Sequence, residues 1–134
     1  MAAQGKGPLA QHAEMLNQGR FALQQSRAMG EFYYPPRSRS HTDKDALDWV
    51  DASGRGTVYA VTVVARKVER GGSYNIAVVE LEEGPRMMTR VVGIAPELVE
   101  IGMAVTAVVA VPDFGSFKDG DQSVVLFEPA KRAD

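Results

Sequence analysis

Residues 57–68 read TVYAVTVVARKV, and this β-branched run decides the fold of the chain. Val and Thr side chains crowd the preceding turn of a helix but pack well on a pleated surface, so the run predicts a long strand. Four more strands are predicted downstream, at residues 74–81, 86–92, 103–111 and 123–127. The first two of these follow glycine turns, and a helical turn or two is predicted over residues 96–101.

Three antiparallel strands, a short helix and two further strands form the element order of a five-stranded oligonucleotide/oligosaccharide-binding (OB) barrel. Closing the sheet removes the exposed edges that such apolar strands would otherwise present, and this favours a barrel. An open β-sandwich or another small barrel is the alternative. The sequence therefore predicts a mainly β protein.

The residues before this barrel predict a helix and short strands. Pro8 opens a helical stretch with Leu9, His12, Ala13 and Leu16 on one stripe, and Gly19 follows its end. Short strands are predicted over residues 20–25 and 32–34, the second stopped by Pro35-Pro36. Residues 38–48 are predicted to be a polar loop. We expect an N-terminal part at 1–52 and the barrel at 53–134.

Composition excludes several kinds of protein. The 134 residues include no cysteine, which rules out disulfides, thiolate nucleophiles and cysteine-ligated zinc or iron–sulfur clusters. A formal charge of -2 argues against a general polyanion binder. No apolar run has the length of a membrane-spanning helix, and the first ten residues have no apolar core of a signal peptide. We expect a cytoplasmic protein without a membrane partner.

The sequence contains no convincing set of catalytic residues. His12 and His41 are the only histidines, and no G-x-S-x-G nucleophile motif is present. Asp113, Asp119 and Asp121 do not have the spacing of an EF-hand calcium loop. We therefore expect a protein that is not an enzyme by itself.

A binding role has better support. Residues 20–39 carry four arginines against the single carboxylate of Glu31, a local net charge of +3. Phe21, three consecutive rings at residues 32–34, and Trp49 lie among or near these arginines. Guanidinium groups bind phosphates and aromatic faces stack on bases, which suits the headgroup of coenzyme A and equally a short nucleic-acid strand. The other interpretation is that the rings are core and the arginines are merely solvated.

Several segments, in order, resemble the family of unknown function number thirty-five. They are Pro35-Pro36-Arg37, Trp49, residues 53–59 (SGRGTVY), 79–86 (VELEEGPR), 101–103 (IGM) and 127–129 (FEP). The resemblance implies an N-terminal helix, a rubredoxin-like zinc ribbon and a C-terminal OB-fold. It also implies a non-catalytic partner of thiolase-like or hydratase-like acyl-CoA enzymes, which helps to enclose the CoA tail.

The zinc ligands of that family are absent from this chain. Its two C-x-x-C pairs fall on Ser26, Met29, Ser40 and Asp43, so the spacing survives without a single thiolate. His41 in a polar loop is a poor substitute ligand. We therefore expect a degenerate ribbon without metal, docked on the barrel through Phe32, Tyr34 and Trp49, with residues 38–46 mobile.

The leading hypothesis is an accessory subunit that binds CoA or an acyl-CoA for a thiolase-like or hydratase-like enzyme. Phosphate contacts are predicted for Arg37 and Arg55 and stacking for Tyr34 or Trp49, with Arg27 and Tyr59 as further ligand-binding residues. The alternative is a single-strand nucleic-acid binder that uses Tyr74, Arg86 and Arg90, although the overall charge makes nucleic acid an unlikely partner. A third possibility is a homodimer that pairs through Met87, Met88 and Met103.

Overall fold

The computed structural model describes residues 7–27, 30–37, 47–112 and 120–130. The chain divides into two compact units, one formed by Met1–Ser53 with Val109–Val125 and the other by Gly54–Val108 with Leu126–Asp134. The regular elements are α1 (Pro8–Asn17), β1 (Ala22–Ser26), β2 (Phe32–Tyr33), β3 (Leu47–Asp51), β4 (Arg55–Val64), β5 (Tyr74–Leu81), β6 (Arg86–Thr89), β7 (Ala104–Ala110) and β8 (Val124–Pro129).

Helix α1 begins and ends as the sequence predicts. Pro8 is its first residue, where the missing N–H removes no intrahelical bond. Gly19 follows the end with φ of 81°, a left-handed conformation that favours glycine, and its N–H donates to the Leu16 carbonyl (2.9 Å). His12 and Leu16 are buried as the stripe requires, whereas Leu9 is 66% exposed.

Strand β1 is the centre of the three-stranded sheet of the first unit. The strand order is β2-β1-β3, and both neighbours are antiparallel to β1. Leu23 and Gln24 are both buried, although they point to opposite faces of the strand. A strand covered on both faces buries successive residues rather than alternate ones, and the strand predicted over residues 20–25 is found at Ala22–Ser26.

Strand β3 corrects one expectation. Residues 47 and 48 were predicted to belong to the polar loop, but β3 begins at Leu47 and pairs with β1 from Ala22↔Asp51 to Ser26↔Leu47. Aspartate is rare in strands, so Asp48 and Asp51 concealed this element. The remainder of the predicted loop, and the mobility expected for residues 38–46, lie outside the described residues.

The second sheet has the predicted OB architecture. Its strand order is β6-β5-β4-β7-β8, and a 3-10 turn over Pro96–Leu98 lies between β6 and β7, where the short helix was expected. Strand β4 is bent by an irregularity between Val58 and Ala60, where its register with β5 shifts. The sheet closes beyond β6, where Val91 pairs with Phe127 and the Phe127 N–H donates to the Arg90 carbonyl (3.1 Å).

The barrel core alternates along its strands. Val58, Val79, Val105 and Phe127 are almost completely buried. On β6 and the two residues after it, Met87 and Val91 are buried while Met88 is exposed, as expected for a strand with one face on the core. No helix in the described part of the chain is long and apolar enough to cross a bilayer.

One polar side chain in the core completes the sheet closure. Asn75 is buried, its amide nitrogen donates to the Val91 carbonyl (2.8 Å), and its amide oxygen accepts from the Val91 N–H (2.9 Å). Both backbone groups of Val91 are thereby satisfied beyond the end of β6, where Val91 pairs with Phe127 of β8.

Candidate functional site

Two of the predicted stacking residues pack inside the first unit. The His12 ring lies 5.9 Å from the Tyr34 ring, 6.0 Å from the Trp49 ring and 6.4 Å from the Phe21 ring, measured between centroids. The Trp49 indole N–H donates to Gln11 (2.9 Å), and burial raises the pKa of the Tyr34 hydroxyl. We call this group the His12 cluster. It consists of His12, Phe21, Tyr34 and Trp49.

His12 is the chemically distinctive member of the cluster. Its side chain is buried and desolvation lowers its pKa, and no described residue forms a hydrogen bond with its Nε2. A neutral imidazole among rings behaves as a packing residue. The arrangement therefore favours a structural role for these rings over a free stacking platform.

The Gln24 side chain fixes the backbone of Arg37 through two hydrogen bonds. Its N–H donates to the Gln24 side-chain oxygen and its carbonyl accepts from the Gln24 amide, both at 2.7 Å. The exposed guanidinium lies 4.9 Å from the centre of the Tyr33 ring. Gln24 and Tyr33 were not among the predicted site residues, because nothing in a sequence shows which side chain fixes a distant backbone.

Arg27 connects two strands of the first unit. It donates to both carboxylate oxygens of Asp48 (2.6 and 3.2 Å), and this hydrogen bonding lowers the pKa of Asp48. Two nitrogens of the Arg20 guanidinium donate to one carboxylate oxygen of Asp51 (2.9 and 3.0 Å). Arg20 precedes β1 and Arg27 follows it, and each is paired with an aspartate of β3, so these guanidiniums are engaged within the fold.

The residues at the former zinc positions do not fit zinc. Ser26 is buried in β1, where its backbone accepts from Gly30 and donates to Glu31. Met29, Ser40 and Asp43 lie outside the described residues. Hydroxyl, thioether and a single carboxylate are poor zinc ligands compared with thiolate or imidazole. In the ranges that the structure describes, no three metal-ligating side chains come together.

Arg55 and Tyr59 lie in the second unit, both on β4. Arg55 donates to both oxygens of Glu82 (2.6 and 2.8 Å), which raises the pKa of the guanidinium. The pair borders an open cavity of about 360 Å³ that is also lined by Gly56, Thr57 and Glu80. The segments SGRGTVY and VELEEGPR meet at this cavity.

Tyr59 is covered by a cation. The Arg86 guanidinium carbon lies 3.7 Å from the centre of its ring, and the Arg86 Nε is 3.4 Å from Glu80. A second ring of the barrel, Tyr74, has both Arg90 (3.9 Å) and Arg66 (4.8 Å) against it. Arg66 was not predicted as a site residue, although its alternation with Val64 along the strand could have placed it on this outer face.

The predicted ligand-binding residues thus form two separate groups. Arg27, Tyr34, Arg37 and Trp49 belong to the first unit, whereas Arg55 and Tyr59 belong to the second. The use of both groups by one ligand remains a prediction.

The chain is similar to known proteins in both its sequence and its fold. A family model described as "ChsH2, C-terminal OB-fold domain" matches residues 49–110. A chain of the solved Ltp2-ChsH2(DUF35) aldolase is 30% identical, has a TM-score of 0.76, and is matched over 95% of its length by 92% of this chain.

Two curated relatives differ in how much of their length is matched. The 3-oxo-4,17-pregnadiene-20-carboxyl-CoA hydratase alpha subunit of Mycobacterium tuberculosis is 43% identical over 86 residues, which are 62% of this chain and only 28% of that subunit. A DUF35 domain-containing scaffold protein of Methanocaldococcus jannaschii is 36% identical over 107 residues, which are 73% of this chain and 70% of that protein. The chain is therefore a member of the DUF35 family, with all four zinc cysteines of the ribbon replaced.

Proposed function

We propose that this chain is a non-catalytic accessory subunit of a hydratase-like or thiolase-like enzyme that acts on acyl-CoA thioesters. The observation that carries the proposal is the likeness to a DUF35 chain of an aldolase complex over 92% of the present sequence. The hydratase alpha subunit supports the same class of partner.

The side-chain chemistry supports a non-catalytic, structural role. His12, the one described histidine, is enclosed by rings, and a general base must be within hydrogen-bond reach of the proton that it removes. Arg20, Arg27 and Arg55 each make a bidentate or forked contact with a carboxylate of this chain. These are arrangements that hold a scaffold together.

We further propose that the subunit contributes to holding the CoA headgroup. Arg37 has the best support of the predicted phosphate ligands, because its backbone is fixed by Gln24 while its guanidinium is exposed. Arg55 borders an open cavity and would bind a phosphate by exchanging Glu82 for it. Adenine would have to stack on the parts of the Tyr34 and Trp49 rings that are not covered within the His12 cluster.

Co-expression with an acyl-CoA hydratase or thiolase encoded beside the gene tests the subunit proposal. A stable complex on size-exclusion chromatography with light scattering is expected. Elution of the chain alone or as a homodimer, with enzyme activity unchanged by its presence, would contradict the proposal.

Calorimetric titration of that complex with CoA tests the headgroup contact. Arg37→Gln is expected to weaken binding about tenfold, in line with the loss of one charge-assisted contact. Arg20→Gln is the matched control, since Arg20 also lies in the first unit and is engaged by Asp51. Equal affinities of the two variants would remove Arg37 from the site while leaving the subunit proposal intact.

A further inference from the structure

The outer face of the barrel carries two guanidiniums on one tyrosine. Arg66 and Arg90 lie 4.8 and 3.9 Å from the centre of the Tyr74 ring, measured from their guanidinium carbons. The registers of β4 with β5 and of β5 with β6 explain why these two arginines lie near Tyr74. Ala77 pairs with Thr89, which puts Arg90 diagonally across from Tyr74, and Val64 pairs with Tyr74 two residues before Arg66.

Arg66 is positioned by the turn between β4 and β5. Its Nε donates to the Gly72 carbonyl (3.2 Å), and a Cβ on Gly71 would come within 2.9 Å of its terminal nitrogen. Gly71 has φ of 108°, a conformation that other residues rarely adopt. The turn therefore leaves room for the guanidinium and fixes it against Tyr74 before any ligand arrives.

The electrostatics of this cluster favour an anion. Both guanidiniums lie against one ring, and so within about 9 Å of each other, where their like charges repel. Arg66, Lys67 and Arg70 add three cations to the turn against the carboxylate of Glu69. Within the described residues, Arg66 has no carboxylate partner. A ligand with two negative charges would offset the repulsion and accept from both forks.

We propose that Arg66, Tyr74 and Arg90 form a binding site for a diphosphate or a closely spaced pair of phosphate esters. The ring does not read a base, because Arg90 covers a face of Tyr74 at stacking distance. Tyr74 instead orients the guanidiniums, and phosphate is the group recognised. This site goes beyond the proposed subunit function and does not depend on it.

Inorganic pyrophosphate is the direct probe, titrated at low salt into the ¹⁵N-labelled chain and followed by NMR. Saturable shifts are expected around residues 64–76 and at Arg90. Arg66→Gln and Arg90→Gln are each expected to weaken binding about tenfold, since each removes a charged fork.

Arg86→Gln is the matched control for these variants. Arg86 also lies over a tyrosine, Tyr59, but Glu80 already contacts it, so the affinity for pyrophosphate should not change. A melting curve for each variant shows that it is folded. Absence of saturable binding at millimolar pyrophosphate, or equal losses in the Arg66 and Arg86 variants, would overturn the site.

Two further ligands distinguish the natural source of the phosphate. CoA and a series of thymidine oligonucleotides are titrated under the same conditions. Affinity for CoA equal to that for pyrophosphate, with no gain from longer oligonucleotides, identifies a small nucleotide. Affinity that rises with strand length and falls steeply with salt identifies single-stranded nucleic acid. Association with the partner enzyme is measured separately, so failure of either proposal is recognised independently.

Discussion

At Gly56, strand β4 passes so close to β5 that there is no room for a side chain. A Cβ there would lie 2.5 Å from Val79 Cγ1 and 3.0 Å from the Glu80 carbonyl oxygen. Val79 is completely buried and cannot move aside without disturbing the core. Gly56→Ala is therefore expected to lower the free energy of unfolding by about 2 kcal/mol, measured by urea denaturation. Gly7→Ala should cost much less, because no described residue comes within 4 Å of the Cβ that the substitution adds.

His12 makes the stability of the chain depend on pH. Burial lowers its folded pKa below the ordinary value of 6.5, so the unfolded chain binds the proton more readily. The stabilisation is complete above pH 6.5 and is lost as pH falls toward the folded pKa. We expect the urea midpoint to fall between about pH 7.5 and pH 5, and His12→Phe to flatten this part of the profile. An unchanged profile in the variant would show that other groups titrate there.

The arginines and rings of the first unit show what a sequence can and cannot predict about the site. Charge clustering drew attention to the arginines of residues 20–39. It could not show that the guanidiniums of Arg20 and Arg27 are paired with the two aspartates of β3. Aspartate is rare in strands, so the sequence did not indicate the full extent of β3. Nor could the rings of Tyr34 and Trp49 be assigned to packing before His12 was known to lie between them.

At the scale of elements, we expect the three-stranded sheet of the first unit to be stable without zinc, because its four ligand positions hold no cysteine. Leu23 is completely buried at the centre of β1, whereas the pairs of Arg20 and Arg27 with β3 are exposed and screened by solvent. Leu23→Ala is expected to cost about 3 kcal/mol in urea unfolding. Arg27→Gln should change stability little, and neither zinc nor a chelator should shift the melting temperature. A large chelator effect would show that a metal contributes to the fold.

The strands of the barrel were predicted well because their environment is simple. Strand β5 occupies the predicted residues 74–81, where Ala77 and Val79 alternate with outward-facing Ile76 and Val78. The helical segment predicted over 96–101 is reduced to one 3-10 turn at Pro96–Leu98, because the backbone of Val99 is already extended (φ -78°, ψ 127°). Beyond it, the Gly102 N–H donates to the Val58 carbonyl. Propensity gives the type of such an element better than its length, which tertiary hydrogen bonds decide.

For the whole molecule, the expected boundary at residues 52 and 53 remains a prediction. The compact unit that contains the N-terminal residues also contains Val109–Val125, a segment distant in sequence. The change of composition after Gly56 indicates where the barrel begins. No local pattern in the sequence shows that Val109–Val125 belongs to the same unit as the helix. Long-range hydrogen bonds carry that information.

Asn17 provides the test of this long-range connection. Its side-chain oxygen accepts from the Ser123 N–H (2.8 Å), and the neighbouring Gln122 donates to the Ala13 carbonyl (3.2 Å). Asn17→Ala removes the acceptor, so the Ser123 amide should exchange with deuterium about tenfold faster, as expected for the loss of one hydrogen bond. Gln18→Ala, one residue further along the helix end, is the matched control and should leave that amide protected. Equal exchange in both variants would mean that the helix does not hold the segment from 120 to 125, and residues 1–52 would then qualify as a separate unit.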